Sequence, residues 1–221
     1  MSESSHGREI PAGFFSEWLE QTRSGMRDGR GAEVPCGDCR ACCTSSYFIH
    51  IESDETEALT LVGDESLPAP GRPGHRVMGF DSEGVCPKMK TTGCSIYENR
   101  PRTCRIYDCR VFAAAGLDAG PGKPRINERI FRWRFQYRDG ADRERHEAVK
   151  SAAAFIRDHA ALFPGRRIPT DPGQLALLAL KVHEELLGAH KDLSDSELVA
   201  RIVKRAQTFE LTTIREPERP F

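Results

Sequence analysis

Eight cysteines lie between residues 36 and 109 of this 221-residue chain, and their spacing is the feature with the most chemical content. Cys36, Cys39, Cys42 and Cys43 form a C-x2-C-x2-C-C block opened by Pro35 and containing Gly37; Cys86, Cys94, Cys104 and Cys109 follow at wider gaps. Two-residue gaps let a tight turn aim successive sulfurs inward. The ligand form of cysteine is the thiolate, which a metal ion or cluster stabilises by neutralising its charge, so binding expels the thiol protons. Zinc is ordinarily held by four Cys or His ligands in a tetrahedron, and iron–sulfur clusters by four thiolates, so four sulfurs plus four suit zinc, iron or a [4Fe-4S] cluster alike. Cys42 and Cys43 are adjacent, and must either strain toward one metal or serve two centres. The plain alternative is eight unrelated buried thiols, and their confinement to about a third of the chain argues against it. All eight are therefore candidate metal ligands.

A thiolate-bound divalent metal keeps a net negative charge that needs nearby donors. Arg40, Arg100, Arg102, Arg105 and Arg110 stand in the right part of the chain, and Arg100 and Arg105 are the strongest candidates for orienting sulfur ligands. Any single one of them is more often an ordinary surface residue. His50 is available as an extra ligand, but the cysteines make it unnecessary.

Composition limits the function classes. With 32 basic against 33 acidic side chains and a formal net charge of −1, no global charge calls for nucleic acid. The first nine residues lack an apolar export core, and the longest apolar run, Leu175 to Leu180, is far too short to span a bilayer. The expectation is a cytoplasmic protein with metal ions as partners, no membrane association, and thiols kept reduced for metals or catalysis.

Four ordered motifs carry a resemblance. The Cys36 to Cys43 block, Gly84-Val85-Cys86-Pro87, Gly93-Cys94-Ser95-Ile96-Tyr97, and Arg100-Pro101 with Cys104-Arg105 together resemble the YkgJ-type CxxCxxCC cysteine-cluster family. The similarity spans roughly residues 34 to 112. It implies zinc or iron chelation by Cys36, Cys39, Cys42, Cys43, Cys86, Cys94 and Cys104, and it supports Cys109 less firmly. The cysteine motif is also similar to that of flagellin lysine N-methylases. That likeness implies, as an alternative, an iron–sulfur enzyme that uses S-adenosylmethionine to methylate a protein lysine, but shared architecture does not transfer function. Whether the chain is an enzyme stays open.

Other signals are weaker. Leu117 to Gly122 superficially resembles a methyltransferase glycine loop, but three alanines precede it where a strand is required, so it reads as a loop. His183-Glu184 and His190 fail zinc-protease spacing and read as helix-surface residues. A thioredoxin-like site at Cys36 and Cys39 lacks the accompanying βαβ pattern.

The elements that must position the cysteines read as an α+β protein: an irregular cysteine-rich, metal-stapled core, a short sheet and a carboxy-terminal helical part. Residues 1–33 form a helical arm, with Phe14, Trp18 and Leu19 on one face before Gly25, Gly29 and Gly31 interrupt it. Residues 34–112 hold the cysteines, and Ser53 to Val62 forms a helix between the two blocks. Residues 113–140 supply a loop and then a strand, in which Phe131, Trp133, Phe135 and Tyr137 face a core and the alternating arginines face water. A nucleic-acid platform is the lesser reading of that strand. Residues 141–221 supply three helices. The second is capped by Asp171-Pro172 and the third by Ser194 with Glu197.

Overall fold

The computed structural model describes residues 8–28, 34, 38–188 and 193–214, the last five by backbone alone. Gly29, Gly31, Pro35, Cys36, Gly37 and His190 lie outside the described residues. In chain order the elements are β1 (Ile10–Phe14), α1 (Phe15–Asp28), β2 (Ile49–Ile51), α2 (Thr56–Val62), β3 (Ser66–Pro68), β4 (Arg76–Met78), β5 (Met89–Lys90), β6 (Gly93–Cys94), α3 (Arg102–Ile106), α4 (Arg110–Ala115), α5 (Pro124–Arg132), β7 (Trp133–Gln136), α6 (Gly140–Asp158), α7 (Pro172–Val182) and α8 (Asp195–Ile214). The fold class is α+β, with helices beside three small sheets. No described helix is long and apolar enough to cross a membrane.

The chain divides into two compact units, one of residues 1–28, 109–120 and 130–221, the other of residues 29–108 and 121–129. In the first, β1 pairs in parallel with β7, with Ile10 opposite Trp133 and Phe14 opposite Gln136. The register shifts between Pro11 and Gly13, where Gly13 has φ 92°. A two-stranded sheet has only edges, so it tolerates both the proline and the bulge. Residues 11–14 are thus strand where the sequence suggested helix, and Gly25 lies within α1. β-pairing with a segment over a hundred residues away leaves no local signature.

Phe15 is fully buried, its ring 5.1 Å from Phe135 and stacked 4.3 Å from His146, and Trp18 lies 4.8 Å from Phe135. The buried Asp142 carboxylate joins three segments by accepting from the Ser16 amide at 3.1 Å and the Arg138 amide at 3.0 Å. Burial works to raise its pKa, but these hydrogen bonds outweigh that and lower it. Helices α4, α6 and α7 pack on one another, and α8 packs on α7. Their apolar stripes, among them Val149, Ala152, Ile156, Leu175, Leu180, Leu198 and Ile202, are buried.

The β7 region differs from the expected strand. Trp133 points inward and Arg134 outward, but Phe131 belongs to the last turn of α5 and is 66% exposed. Ala113 to Ala115 continue α4 until Gly116 ends it in the left-handed region, so this part of the expected loop is helical. A helix, not a strand, therefore precedes Leu117 to Gly122. His183 is 2% exposed, because the chain tightens into a 3-10 turn after α7 and turns the ring inward, where its Nδ1 lies 2.9 Å from the Leu180 carbonyl oxygen.

The second unit is built from short pieces. Strands β2, β4 and β3 form an antiparallel sheet in that order, and β5 and β6 form a hairpin. Ile51, Ala58, Val62, Met78 and Ile96 make its core, with Ile49, Leu59, Cys86 and Cys94 packed against them.

Candidate metal centre

Five of the described cysteines of the second unit, Cys42, Cys43, Cys86, Cys94 and Cys104, are placed by recognisable local devices. Cys42 and Cys43 sit in a 3-10 turn, where the Ala41 carbonyl oxygen accepts from the Thr44 amide at 3.3 Å and from the Ser45 hydroxyl at 2.5 Å. The chain then passes through Ser46, which has φ 55°, a left-handed conformation rare for a residue with a side chain. Two backbone bonds join this turn to the second cysteine block: the Cys86 amide donates to the Cys43 carbonyl oxygen at 2.8 Å, and the Ser46 amide to the Gly84 carbonyl oxygen at 3.0 Å. This approach explains the glycine of the Gly-Val-Cys-Pro motif. Gly84 has φ 78°, and a Cβ there would collide with the Ser46 hydroxyl.

Asp81 shapes the turn before Cys86, its Oδ1 accepting from the amides of Glu83 and Val85, both at 2.9 Å. Past Cys86, the hairpin sets Cys94 opposite Met89, so both thiols border the apolar core.

Cys104 rides on α3, and that helix is fastened by Glu55. The buried Glu55 carboxylate accepts from the Arg102 amide, where α3 begins, and from the Glu52 amide at 2.9 Å, and it pairs with Arg105 at 3.6 Å. The Thr103 hydroxyl adds a bond to the His50 carbonyl oxygen at 2.7 Å. Glu55 stands immediately before α2 in the chain, and its role at the start of α3 has no local signal. Glu55→Ala should cost about 2–4 kcal/mol, because it leaves two amides without their acceptor. Urea unfolding of the protein would show it, with Glu55→Gln retaining part of the loss.

The result is a group of thiols that feel one another. Burial pushes the Cys104 thiol up to about 12, and the Cys42, Cys86 and Cys94 sulfurs push in the same direction, while Arg100 opposes them. Cys86 is raised by burial and by Cys94. Cys42 is raised by its contact with Cys43, whose sulfur is 3.9 Å away, and by burial. Thiols this crowded cannot ionise together unless a cation joins them, which is the service a thiophilic metal supplies. By chemistry the donor set fits zinc or iron. Among the described residues, though, no three His, Cys, Asp or Glu side chains are closed into a ligating arrangement.

Residues 35–134 match the model of the CxxCxxCC family, described as a "putative zinc- or iron-chelating domain". No curated protein and no solved structure matches the chain. The CxxCxxCC match begins at the first cysteine block and continues some thirty residues past Cys104, through α5.

The remaining sites expected from sequence fall as follows. Cys39 is half-buried in the same unit. Cys109 belongs to the other unit, buried, with the Trp133 indole N–H donating to its sulfur at 3.2 Å. Arg100 stacks on Tyr97 with its guanidinium 4.0 Å from the ring centroid and donates to the Tyr97 carbonyl oxygen at 2.6 Å. Arg105 donates to the Arg100 carbonyl oxygen at 2.9 Å besides pairing with Glu55. Arg102 pairs with Asp54 at 2.8 Å, and Arg110 donates to the Ala12 carbonyl oxygen at 3.2 Å in the first unit.

Proposed function

We propose that the CxxCxxCC segment is a thiolate chelating module in which Cys42, Cys86, Cys94 and Cys104 hold zinc or iron. Cys36, Cys39 and Cys43 complete that centre or a second one. Cys109, engaged by Trp133, is left out of the set, and Arg100 is the guanidinium that tempers the charge at Cys104. The observation that carries this reading is that half-buried thiols from four separate segments lie near enough for Cys42, Cys86 and Cys94 to act electrostatically on Cys104, with Cys86 and Cys94 packed against an apolar core. Such a centre needs a reducing compartment to keep its sulfurs as ligands, which supports the cytoplasm.

Elemental analysis with an absorption spectrum, on protein purified without oxygen, tests this. About one or two zinc ions in colourless protein support a structural or chelated zinc centre. Iron with sulfide and broad visible absorption supports a [4Fe-4S] or related cluster. That result would make anaerobic titration with S-adenosylmethionine the next measurement, because methyl transfer requires that cosubstrate to bind. Protein free of any metal after anaerobic reconstitution sinks the reading. Within it, Cys104→Ser should lose about one metal equivalent, while Cys109→Ser keeps the full complement.

A further inference from the structure

After Asp108 the chain leaves the cysteine unit, and it comes back as residues 121–129. This return brings Ile126, 1% exposed, and Lys123. The Lys123 ammonium donates to the Ser45 carbonyl oxygen and, at 3.4 Å, to that of Ser46. It also lies 4.1 Å from the centroid of the Tyr47 ring, whose hydroxyl is 3.3 Å from that of Tyr107. Lys123 thus grips the three residues that follow Cys42, Cys43 and Thr44, including the one held at φ 55°. A left-handed non-glycine residue is strained and persists only where its surroundings impose it.

We propose that Lys123 is a positioning residue for the metal centre: clamped on the Ser45 and Ser46 carbonyls, it holds the turn that presents Cys42 and Cys43 and so slows metal loss. This rests on the chelation reading above. Two physical effects act together. The clamp keeps both sulfurs from swinging away with the turn, and a fixed positive charge near the turn offsets the net −2 that four thiolates leave around a divalent ion. The clamp has no counterpart in the cysteine spacing itself. The family match nevertheless includes the returning segment.

The test compares wild type, Lys123→Met and Lys123→Arg, each loaded with zinc, in release to a chromophoric chelator, and each loaded with cobalt(II), in its sulfur-to-metal absorption bands. Lys123→Met should release zinc about tenfold faster and shift the cobalt bands, with Lys123→Arg recovering part of both, the size of effect seen when residues supporting a ligand are removed. Hydrogen exchange on the zinc-loaded proteins should quicken at residues 44–47 and stay unchanged at Ile51 and Met78. Release at the wild-type rate with an unshifted cobalt spectrum overturns the proposal. So does exchange that quickens equally at Ile51 and Met78, since the lysine would then be supporting the unit at large. Wild type that retains neither zinc nor cobalt would instead sink the chelation reading, before any variant is compared.

Discussion

Removing the metal with a strong chelator under reducing conditions is expected to unfold residues 38–108 while residues 10–28 and 130–209 keep their structure. The cysteine unit has three-residue strands, a two-residue hairpin pairing and a main core cluster of five buried apolar side chains. So small a core gives little apolar burial to set against chain entropy. Structural zinc supplies apparent binding energies of about 10–16 kcal/mol near neutral pH, and where ligation and folding coincide, that energy is folding energy. The helical unit has its own core around Phe15, Val149, Ile156, Leu180 and Ile202. Both tryptophans of the chain, Trp18 and Trp133, belong to that unit, so their emission reports on it alone. The check is hydrogen exchange before and after chelation. Loss of protection at Ile51, Met78 and Ile96, with unchanged tryptophan emission, is the expected result. Full protection of those amides in demonstrably metal-free protein would show that the unit folds without ligation.

Mild acid should weaken the helical unit through His146. This ring is 5% exposed, stacked on Phe15, with Nδ1 2.7 Å from the Tyr137 hydroxyl and Nε2 buried without a hydrogen bond. Burial lowers its pKa from 6.5 to about 4, with Lys150 adding to the fall and Glu147 and the Ala113 and Ala114 backbone drawing it partly back. A lowered pKa means that the folded state resists the proton that the unfolded chain accepts. The neutral ring is therefore no burden above pH 6.5, and stability is lost as pH falls from there toward 4. The loss should reach about 2 kcal/mol at pH 5 and about 3 kcal/mol once both states are protonated, at 1.36 kcal/mol per pKa unit. Urea unfolding followed by tryptophan emission at pH 7 and pH 5 measures it. His146→Gln, which takes no charge, should remove most of the difference between the two pH values. A variant as acid-sensitive as wild type would assign the effect to other groups.

The helical unit was the more legible of the two from sequence, and its caps show why. Asp171 accepts from the Gln174 amide at 2.9 Å with Pro172 starting α7, and Ser194 and Glu197 bond reciprocally at the start of α8. These signals act over three or four residues, so they read the same in any fold. The same locality limited the reading elsewhere. Pro11 to Phe14 carry apolar residues that suit a helix start, and only pairing with β7 makes them strand. Phe131 fits the alternation of a strand, but α5 continues through it. His183 falls on an ordinary helical position until the 3-10 turn buries it.

The sequence alone determined the chemistry available: eight clustered thiols, their spacing, and the order of motifs that the CxxCxxCC match spans. Residue type sets what can bind, because a thiolate is a metal ligand wherever it stands. Tertiary structure decided which thiols share a place. Cys42, Cys86 and Cys94 lie near enough to Cys104 to push its thiol up, while Cys109, five residues after Cys104, joins Trp133 in the other unit. It also chose the supports, Glu55 beneath α3 and Lys123 on the turn after Cys43, from positions that nothing nearby in the chain singles out. Closing a loop costs little more for a long one than for a short one. A support can therefore come from any distance along the chain, and its partner is found only once the backbone has been followed through space.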